Sequence, residues 1–147
     1  MALFSKKYQA QIEIHSTVDR LWGVLMDLDQ YGSWNPFTIQ VETDWQPGSR
    51  VLLIVQMREN RKPIRQVEYL TRLNPKQELA WGMNWGIWLK AERTQRIVRV
   101  SSTTVRYETE DRLRGLLCPL VHLLYGRHIQ NGFEKMAAAL KNHIEQA

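Results

Sequence analysis

The stretch IEIHSTVDRLWGVLMDLDQYGSWNPF, residues 12–37, changes its hydrophobic period twice and thereby decides the fold. Its first residues alternate as in a strand, and this alternation extends back to residue 8. Ser16 or Thr17 can cap the helix that follows, whose apolar residues recur every three or four positions. A second short helical turn comes next, and it ends before Pro36 because proline cannot continue a helix. The stretch therefore predicts a strand, two short helices and a turn into a second strand.

Six strands and one long helix are predicted beyond this turn. The predicted strands are residues 37–44, 50–59, 64–73, 78–87, 89–100 and 103–112. Because the connections between them are short, neighbouring strands should pair antiparallel as a meander. The pattern from Pro119 to Glu145 is helical. This order predicts an α+β fold in which the last helix covers one face of a sheet, and the lack of repeats or linkers predicts a single domain over residues 1–147.

The segment LAWGMNWGI, residues 79–87, has the strictest alternation in the chain. The side chains that fall on its predicted inner face are Leu79, Trp81, Met83, Trp85 and Ile87. Such a period of two indicates one buried face and one bare face. This bulk fits either a flat core or a curved sheet that surrounds a cavity, since Trp and Met are common in apolar ligand sites.

Polar side chains also fall on the predicted inner face of the neighbouring strands. The alternation places Arg93, Gln95, Tyr107, Thr109 and Asp111 there, whereas the outer face of the last strand is a ladder of alternating charges. In the strand at 64–73 the same reasoning predicts that Val67 and Tyr69 point inward and Glu68 outward. Because unpaired buried charge is costly, the inward polar groups pair, meet water or meet a ligand. The alternative is that Asp111 and Arg93 lie at strand ends in solvent.

The last helix changes character along its length. Its second half has an apolar stripe that extends back through Ile129, Tyr125 and His122. Its first half, LLCPLVHLLYG at residues 116–126, is apolar almost all round. The side chains that point away from the stripe include Leu117, Val121 and Leu124. Either another subunit, a membrane surface or a loop covers them, or they close over a ligand.

Three stretches resemble the START-like superfamily, also called SRPBCC, and within it the polyketide cyclase/dehydrase and lipid-transport family. They are residues 12–37, the run DRLRGLL at 111–117 and IQNGFEKMAAALKNHIE at 129–145. The resemblance covers nearly the whole chain and implies the helix-grip fold. In that fold a curved antiparallel sheet of about six to seven strands wraps around a long C-terminal helix, with two short helices after the first strand. The superfamily includes hydrolases, cyclases, carriers and stress proteins, so the resemblance does not fix an activity.

The resemblance also implies a cavity between the curved sheet and the long helix that holds a small hydrophobic or amphipathic molecule. The short helices and the turn after them commonly edge one opening, so Tyr31, Trp34 and Phe37 are expected to rim its mouth. The alternative is that these three aromatic side chains anchor the turn to the core. The residues expected to line the cavity are Trp34, Phe37, Tyr69, Trp81, Met83, Trp85, Gln95, Tyr107, Thr109, His122, Tyr125 and Ile129.

Motifs for specific chemistry are missing from the sequence. It has no nucleophile elbow and no glycine-rich phosphate loop, and the spacing of its four histidines fits no common zinc site. Cys118 is the single cysteine, which excludes an intrachain disulfide. No metal and no cofactor are therefore predicted. An enzyme would have to work by acid–base assistance in an apolar pocket, and the groups able to provide it are Tyr107, Asp111, His122 and Arg93.

The net charge of +5 and the pI of about 9.6 raise the question of an anionic partner. Basic residues are spread along the chain in runs of at most two, which is typical of a solvated surface and makes a nucleic-acid partner unfavoured. No apolar run is long enough to span a bilayer, and the first residues lack a signal-peptide pattern, so a cytoplasmic location is expected.

The sequence is consistent with three hypotheses for function. The favoured one is a protein that binds, and could carry, a small hydrophobic molecule. The second is an enzyme of the cyclase/dehydrase or hydrolase type that acts on such a molecule. The third is a module that docks to a protein or a membrane surface through residues 116–126. The sequence fits a monomer or a homodimer equally.

Overall fold

A computed structural model of the chain describes residues 2–146. Its elements, in chain order, are β1 (Ser5–His15), α1 (Val18–Met26), α2 (Tyr31–Trp34), β2 (Thr38–Glu42), β3 (Arg50–Val55), β4 (Ile64–Asn74), β5 (Glu78–Asn84), β6 (Lys90–Arg99), β7 (Thr104–Arg114) and α3 (Cys118–Glu145). Single 3-10 turns cover Ala2–Phe4 and Leu28–Gln30. The predicted order of strand, two short helices, six strands and a long helix is confirmed.

All seven strands form one antiparallel sheet in the order β1-β7-β6-β5-β4-β3-β2. Every neighbouring pair except β1 and β7 is also consecutive in the chain, as the short connections predict. The sheet curls around α3, and the core lies between them. The outer face of the sheet carries ion pairs between strands, such as Arg96 with Glu78 at 3.2 Å. The predicted helix-grip architecture is therefore confirmed.

Local hydrogen bonds explain the two changes of period in residues 12–37. The Thr17 hydroxyl accepts a hydrogen bond from the Arg20 amide at 3.2 Å and caps α1. At the end of α2, the Asn35 side-chain oxygen accepts the amides of Phe37 at 3.0 Å and Thr38 at 2.9 Å. This double acceptance fixes the turn around Pro36 and directs the chain into β2.

Two predicted alternations fail where the backbone leaves regular pairing. In β4 the pairing with β5 shifts register between Leu70 and Arg72, which is a bulge. Because one extra residue reverses the faces, Glu68 points inward with Leu70 and Tyr69 points outward, opposite to the prediction.

The strand β5 ends at Asn84, earlier than predicted. Gly86 adopts a positive φ of 64°, its amide donates to the Asn84 side chain at 2.9 Å, and the Trp85 amide donates to the Leu89 carbonyl at 2.8 Å. These bonds close a turn that only the conformational freedom of glycine makes easy. Trp85 and Ile87 are consequently exposed turn residues and not part of the inner face of a strand.

The turn after α2 packs directly on the backbone of α3. Phe37 meets Phe133 edge to face, with ring centroids 5.6 Å apart. A Cβ atom built on Gly132 would lie 2.1 Å from a carbon of the Phe37 ring, so only glycine leaves room for this contact. The contact between the turn after α2 and the long helix therefore depends on residue 132 having no side chain.

Replacement of Gly132 by alanine tests this contact. Alanine favours a helix by about 1 kcal/mol over glycine, yet Gly132→Ala should lower the free energy of unfolding by about 1–3 kcal/mol because Phe37 must move. Gly23 of α1 is the matched control, since a Cβ built there meets nothing within 4 Å. Gly23→Ala should stabilise the protein in the same urea titration. Stabilisation by both substitutions would contradict the packing described.

Candidate functional site

A cavity of about 790 Å³ lies between the inner face of the sheet and α3. One end is closed by Phe37, Thr38 and Phe133. At the other end the β3–β4 connection, the β5–β6 turn and the start of α3 border the opening, through residues such as Met57 and Trp85. We call this opening the mouth. The cavity has the size and the concave, one-ended form of a small-molecule site.

The wall of the cavity is mostly apolar and aromatic. The predicted residues that lie on it are Phe37, Tyr69, Trp81, Met83, Trp85, Tyr125 and Ile129, together with Arg93 and Asp111. Trp81 is fully buried, Trp85 is exposed at the mouth, and Tyr69, whose side chain points outward from β4, is also exposed. The two large indoles therefore do not fill the space between sheet and helix.

A buried guanidinium dominates the closed end of the cavity. Arg93 on β6 donates hydrogen bonds to the hydroxyls of Thr109 and Thr38, each at 3.1 Å, and contacts the sulfur of Met136 at 3.0 Å. Its charged carbon lies 4.6 Å from the centre of the Phe133 ring, a cation–π distance. Within residues 2–146 it forms no ion pair with a carboxylate, although an arginine side chain stays charged at any physiological pH.

Two carboxyl groups face the same space. Asp111 on β7 is the direct cross-strand neighbour of Arg93, and one of its oxygens, Oδ1, is buried without a hydrogen-bond partner among the described residues. Burial raises the pKa of Asp111 to about 7, against the opposing effect of the Arg93 charge. Burial and the nearby Asp111 raise the pKa of Glu68 to about 8. The cavity thus holds the buried Arg93 cation and two carboxyl groups whose pKa values lie near neutral pH, and a second arginine of its lining, Arg65, is exposed.

Glu68 is the wall residue that alternation assigned to the wrong face. Its outward assignment followed from Val67 and Tyr69, and only the bulge near Thr71 reverses it. The residues around Thr71 are not of a type that favours bulges, so the local sequence does not indicate that the two faces of β4 are reversed.

Four other predicted residues lie behind the wall or beside it. Gln95, Tyr107 and Thr109 are buried and face inward, but they pair with other groups: the Tyr107 hydroxyl donates to Gln95, and Thr109 accepts from Arg93. His122 is exposed, and its Nδ1 lies 2.6 Å from the hydroxyl of Tyr8, on which the imidazole also stacks. Burial, the largest cause, raises the pKa of Tyr8 to about 12. None of the four lines the cavity.

The turn around Pro36 does not rim the mouth, contrary to expectation. Trp34 stacks on His143 near the end of α3, with ring centroids 5.9 Å apart, and it is not on the cavity wall. The Tyr31 hydroxyl is buried and donates to the Leu25 carbonyl at 2.7 Å. Only Phe37 reaches the cavity, at its closed end. The aromatic residues of this turn therefore anchor it to the core, and Trp34 does so near the C-terminal end of α3, whereas the mouth lies near the start of that helix.

No group of three His, Cys, Asp or Glu side chains in the described part of the chain is arranged to hold a metal ion. None of the helices within residues 2–146 combines the length and the apolar character needed to cross a membrane.

The two raised carboxyl pKa values predict how stability depends on pH. The ordinary pKa values are 3.8 for Asp111 and 4.5 for Glu68, and both are raised in the folded protein. At a pH between the ordinary and the raised pKa, each carboxyl group is protonated in the folded protein and ionised in the unfolded chain. The free energy of unfolding should therefore fall as pH rises from about 4 to about 8, then level off. Asp111→Asn should reduce that fall by on the order of 1–3 kcal/mol in urea titrations across this range.

Glu108→Gln is the matched control for this titration. Glu108 lies on the outer face of the same strand and pairs with Arg106 at 2.7 Å. Its replacement should leave the slope of stability against pH unchanged. Equal slopes for the wild-type protein and Asp111→Asn would show that Asp111 is not buried as described.

Comparison with solved structures places this geometry among known folds. The Zhui aromatase/cyclase from Streptomyces sp. R1128 has a TM-score of 0.77 at 14% identity, covering 97% of this chain and 94% of its own. A START superfamily protein from Mycobacterium smegmatis has a TM-score of 0.68 at 17% identity, covering 95% and 97%. The di-domain aromatase/cyclase BexL has a TM-score of 0.73 at 15% identity over 95% of this chain, which spans 46% of BexL.

No family model and no curated protein matches the sequence. The TM-scores over nearly the whole chain establish a shared fold, and the low identities leave activity open. The structural matches extend over nearly the whole chain, so the shared fold includes the curved sheet and the long C-terminal helix described above. The chain therefore has a START-like helix-grip fold, which it shares with these solved structures.

Proposed function

We propose that the protein binds a small amphipathic molecule in the cavity between the sheet and α3. The observation that carries this proposal is the cavity itself: about 790 Å³, with an apolar wall and a polar cluster in which a buried Asp111 oxygen has no hydrogen-bond partner among the described residues. Small-molecule sites commonly have this composition, with a few convergent polar groups that orient the ligand.

The polar cluster restricts the chemistry of the ligand. A carboxylate on the ligand would face Asp111 and Glu68, and an ammonium group would face Arg93. Neutral oxygens avoid both conflicts: a hydroxyl can donate to the unpartnered Asp111 oxygen, and a carbonyl can accept from Arg93 or from a protonated carboxyl group. The ligand we propose is therefore an apolar, ring-containing molecule with hydroxyl or carbonyl groups at one end.

The structural neighbours support a ring-containing ligand. Two of them are aromatase/cyclases, whose names imply cyclic products. In this chain, Trp81 and Phe133 flank the closed end of the cavity and Tyr125 lies nearer the mouth, so planar rings would find flat apolar surfaces along its length.

Acid–base catalysis on the bound molecule is the second candidate function. It is favoured by the pKa values of Asp111 and Glu68, about 7 and about 8, because a general acid or base works best when its pKa is near the working pH. Of the predicted catalytic candidates, Arg93 and Asp111 are on the wall, whereas Tyr107 and His122 are not.

A cavity-filling substitution tests the proposed binding. Ala91 lies on the wall, so Ala91→Phe should lower the affinity for the apolar fluorophore N-phenyl-1-naphthylamine by about tenfold or more, measured by fluorescence titration. Val98→Phe places the same ring on the outer face of the same strand and should leave the affinity unchanged. Failure of the wild-type protein to bind the probe, or equal binding by Ala91→Phe, would contradict the proposal.

Replacement of Asp111 separates binding from catalysis. The molecule extracted from the purified protein is the probe, incubated with fresh protein and followed by mass spectrometry. A binding protein should return it unchanged, and Asp111→Asn should alter only its affinity. Conversion to a product, slowed by about 100-fold or more in Asp111→Asn, would establish the enzyme instead.

A further inference from the structure

Large apolar side chains are exposed together at the mouth end of the molecule. We call them the apolar rim: Leu3, Phe4, Trp85, Ile87, Trp88, Leu116, Leu120, Leu123 and Leu124. Leu123 is 80% exposed and Ile87 is 70% exposed, so these side chains are not partly covered edges of the core. An apolar patch of this extent on a folded protein marks an interaction surface.

The sheet topology brings the rim residues to one place. In an antiparallel meander, the start of β1, the β3–β4 connection, the β5–β6 turn and the end of β7 all lie at the same edge of the sheet. Backbone bonds join them: the amide of Leu116 donates to the Ile87 carbonyl at 3.0 Å, and that of Gly115 donates to the Phe4 carbonyl at 3.0 Å. Arg58 of the β3–β4 connection donates to the Leu124 carbonyl at 3.3 Å. The rim therefore lies beside the mouth, along the β5–β6 turn and the start of α3, and the β3–β4 connection completes the border without contributing a rim residue.

Basic and acidic residues are also distributed unevenly between the mouth end and the rest of the chain. The four segments at the mouth end are residues 2–7, 57–66, 84–90 and 112–127. Together they contain ten Lys or Arg residues and one acidic residue, whereas the rest of the chain contains ten Lys or Arg and fourteen Asp or Glu. The net charge of +5 is thus a strongly basic mouth end combined with an acidic remainder. The single acid, Glu59, is itself paired with Lys135.

We propose that the mouth end docks onto an anionic membrane surface. The rim residues would enter the boundary between headgroups and acyl chains, where Trp side chains are favoured, and the surrounding Lys and Arg would face the lipid phosphates. Charge complementarity selects this occupant over a second copy of the chain, because two copies meeting through the rim would bring two strongly basic surfaces together.

The position of the cavity agrees with this orientation. Trp85 and Tyr125 lie on the cavity wall, and their neighbours Ile87 and Leu124 belong to the rim. A docked molecule would hold the mouth against the acyl region. An apolar ligand could then pass between bilayer and cavity without crossing water, which would otherwise oppose its transfer.

Flotation with lipid vesicles tests the docking surface. The vesicles contain phosphatidylcholine alone or with phosphatidylglycerol. The wild-type protein should bind only the anionic vesicles, and added salt should weaken the binding. Ile87→Glu and Leu123→Glu should each reduce the vesicle-bound fraction by about tenfold or more, and Arg114→Glu should reduce it by about fivefold or more.

Matched controls come from the opposite end of the sheet. Val100 is 46% exposed in the β6–β7 turn, and Arg99 is exposed beside it. Val100→Glu and Arg99→Glu should leave vesicle binding unchanged, because neither residue is near the mouth. Circular dichroism and uptake of N-phenyl-1-naphthylamine in solution show for every variant whether the fold and the cavity are intact.

Three results would overturn the docking proposal. One is the absence of binding to vesicles of either composition. Another is equal loss of binding in the rim variants and in Val100→Glu. The third is a dimer, detected by analytical ultracentrifugation without lipid, that Ile87→Glu and Leu123→Glu dissociate, since the rim would then be an interface between copies of this chain. Probe uptake by folded rim variants would leave the proposed ligand cavity standing in each case.

Discussion

The interior of this protein depends on the hydrogen bonds and contacts of the buried Arg93 guanidinium. Arg93 lies on β6, and its side chain bonds to Thr109 on the neighbouring strand β7, to Thr38 on the edge strand β2 and to Met136 on α3. Strands β6 and β2 are separated by three others in the sheet, so one side chain can join them only if the sheet curls back on itself. Since a buried charge must be compensated, this bonding pattern couples the curvature of the sheet to the position of the helix.

The same charge sets the chemistry of the cavity. Arg93 has hydroxyls, a sulfur and an aromatic face around it, and the nearest strand neighbour, Asp111, has an oxygen without a partner in the described chain. Desolvation raises the pKa of Asp111 and of Glu68, and the Arg93 charge opposes both shifts. The interior is therefore polar at one end and apolar towards the mouth, which is the polarity of an amphipathic ligand.

The sequence predicted most of the fold and part of the cavity because regular alternation carries the information. Trp81, Arg93 and Asp111 lie in uninterrupted strands, and their inward direction follows from a period of two. Glu68 was assigned to the wrong face because one extra residue in β4 reverses the alternation without a local signal. The same alternation predicts that Trp85 lies in a strand, but the turn around Gly86 ends β5 at Asn84. The resemblance to the START-like superfamily predicted a cavity, but where it opens depends on loop contacts that only the structure shows.

Native mass spectrometry of the protein as purified tests most directly whether the space around Arg93 is a ligand site. The wild-type protein should carry an additional mass of roughly drug size, and denaturing extraction should release a molecule with an apolar body and hydroxyl or carbonyl groups. Arg93→Met, which keeps an apolar side chain of similar length, should lose that molecule while remaining folded by circular dichroism. Retention of the same bound molecule by folded Arg93→Met, or a wild-type protein that stays unliganded after incubation with apolar hydroxylated aromatics, would contradict the account.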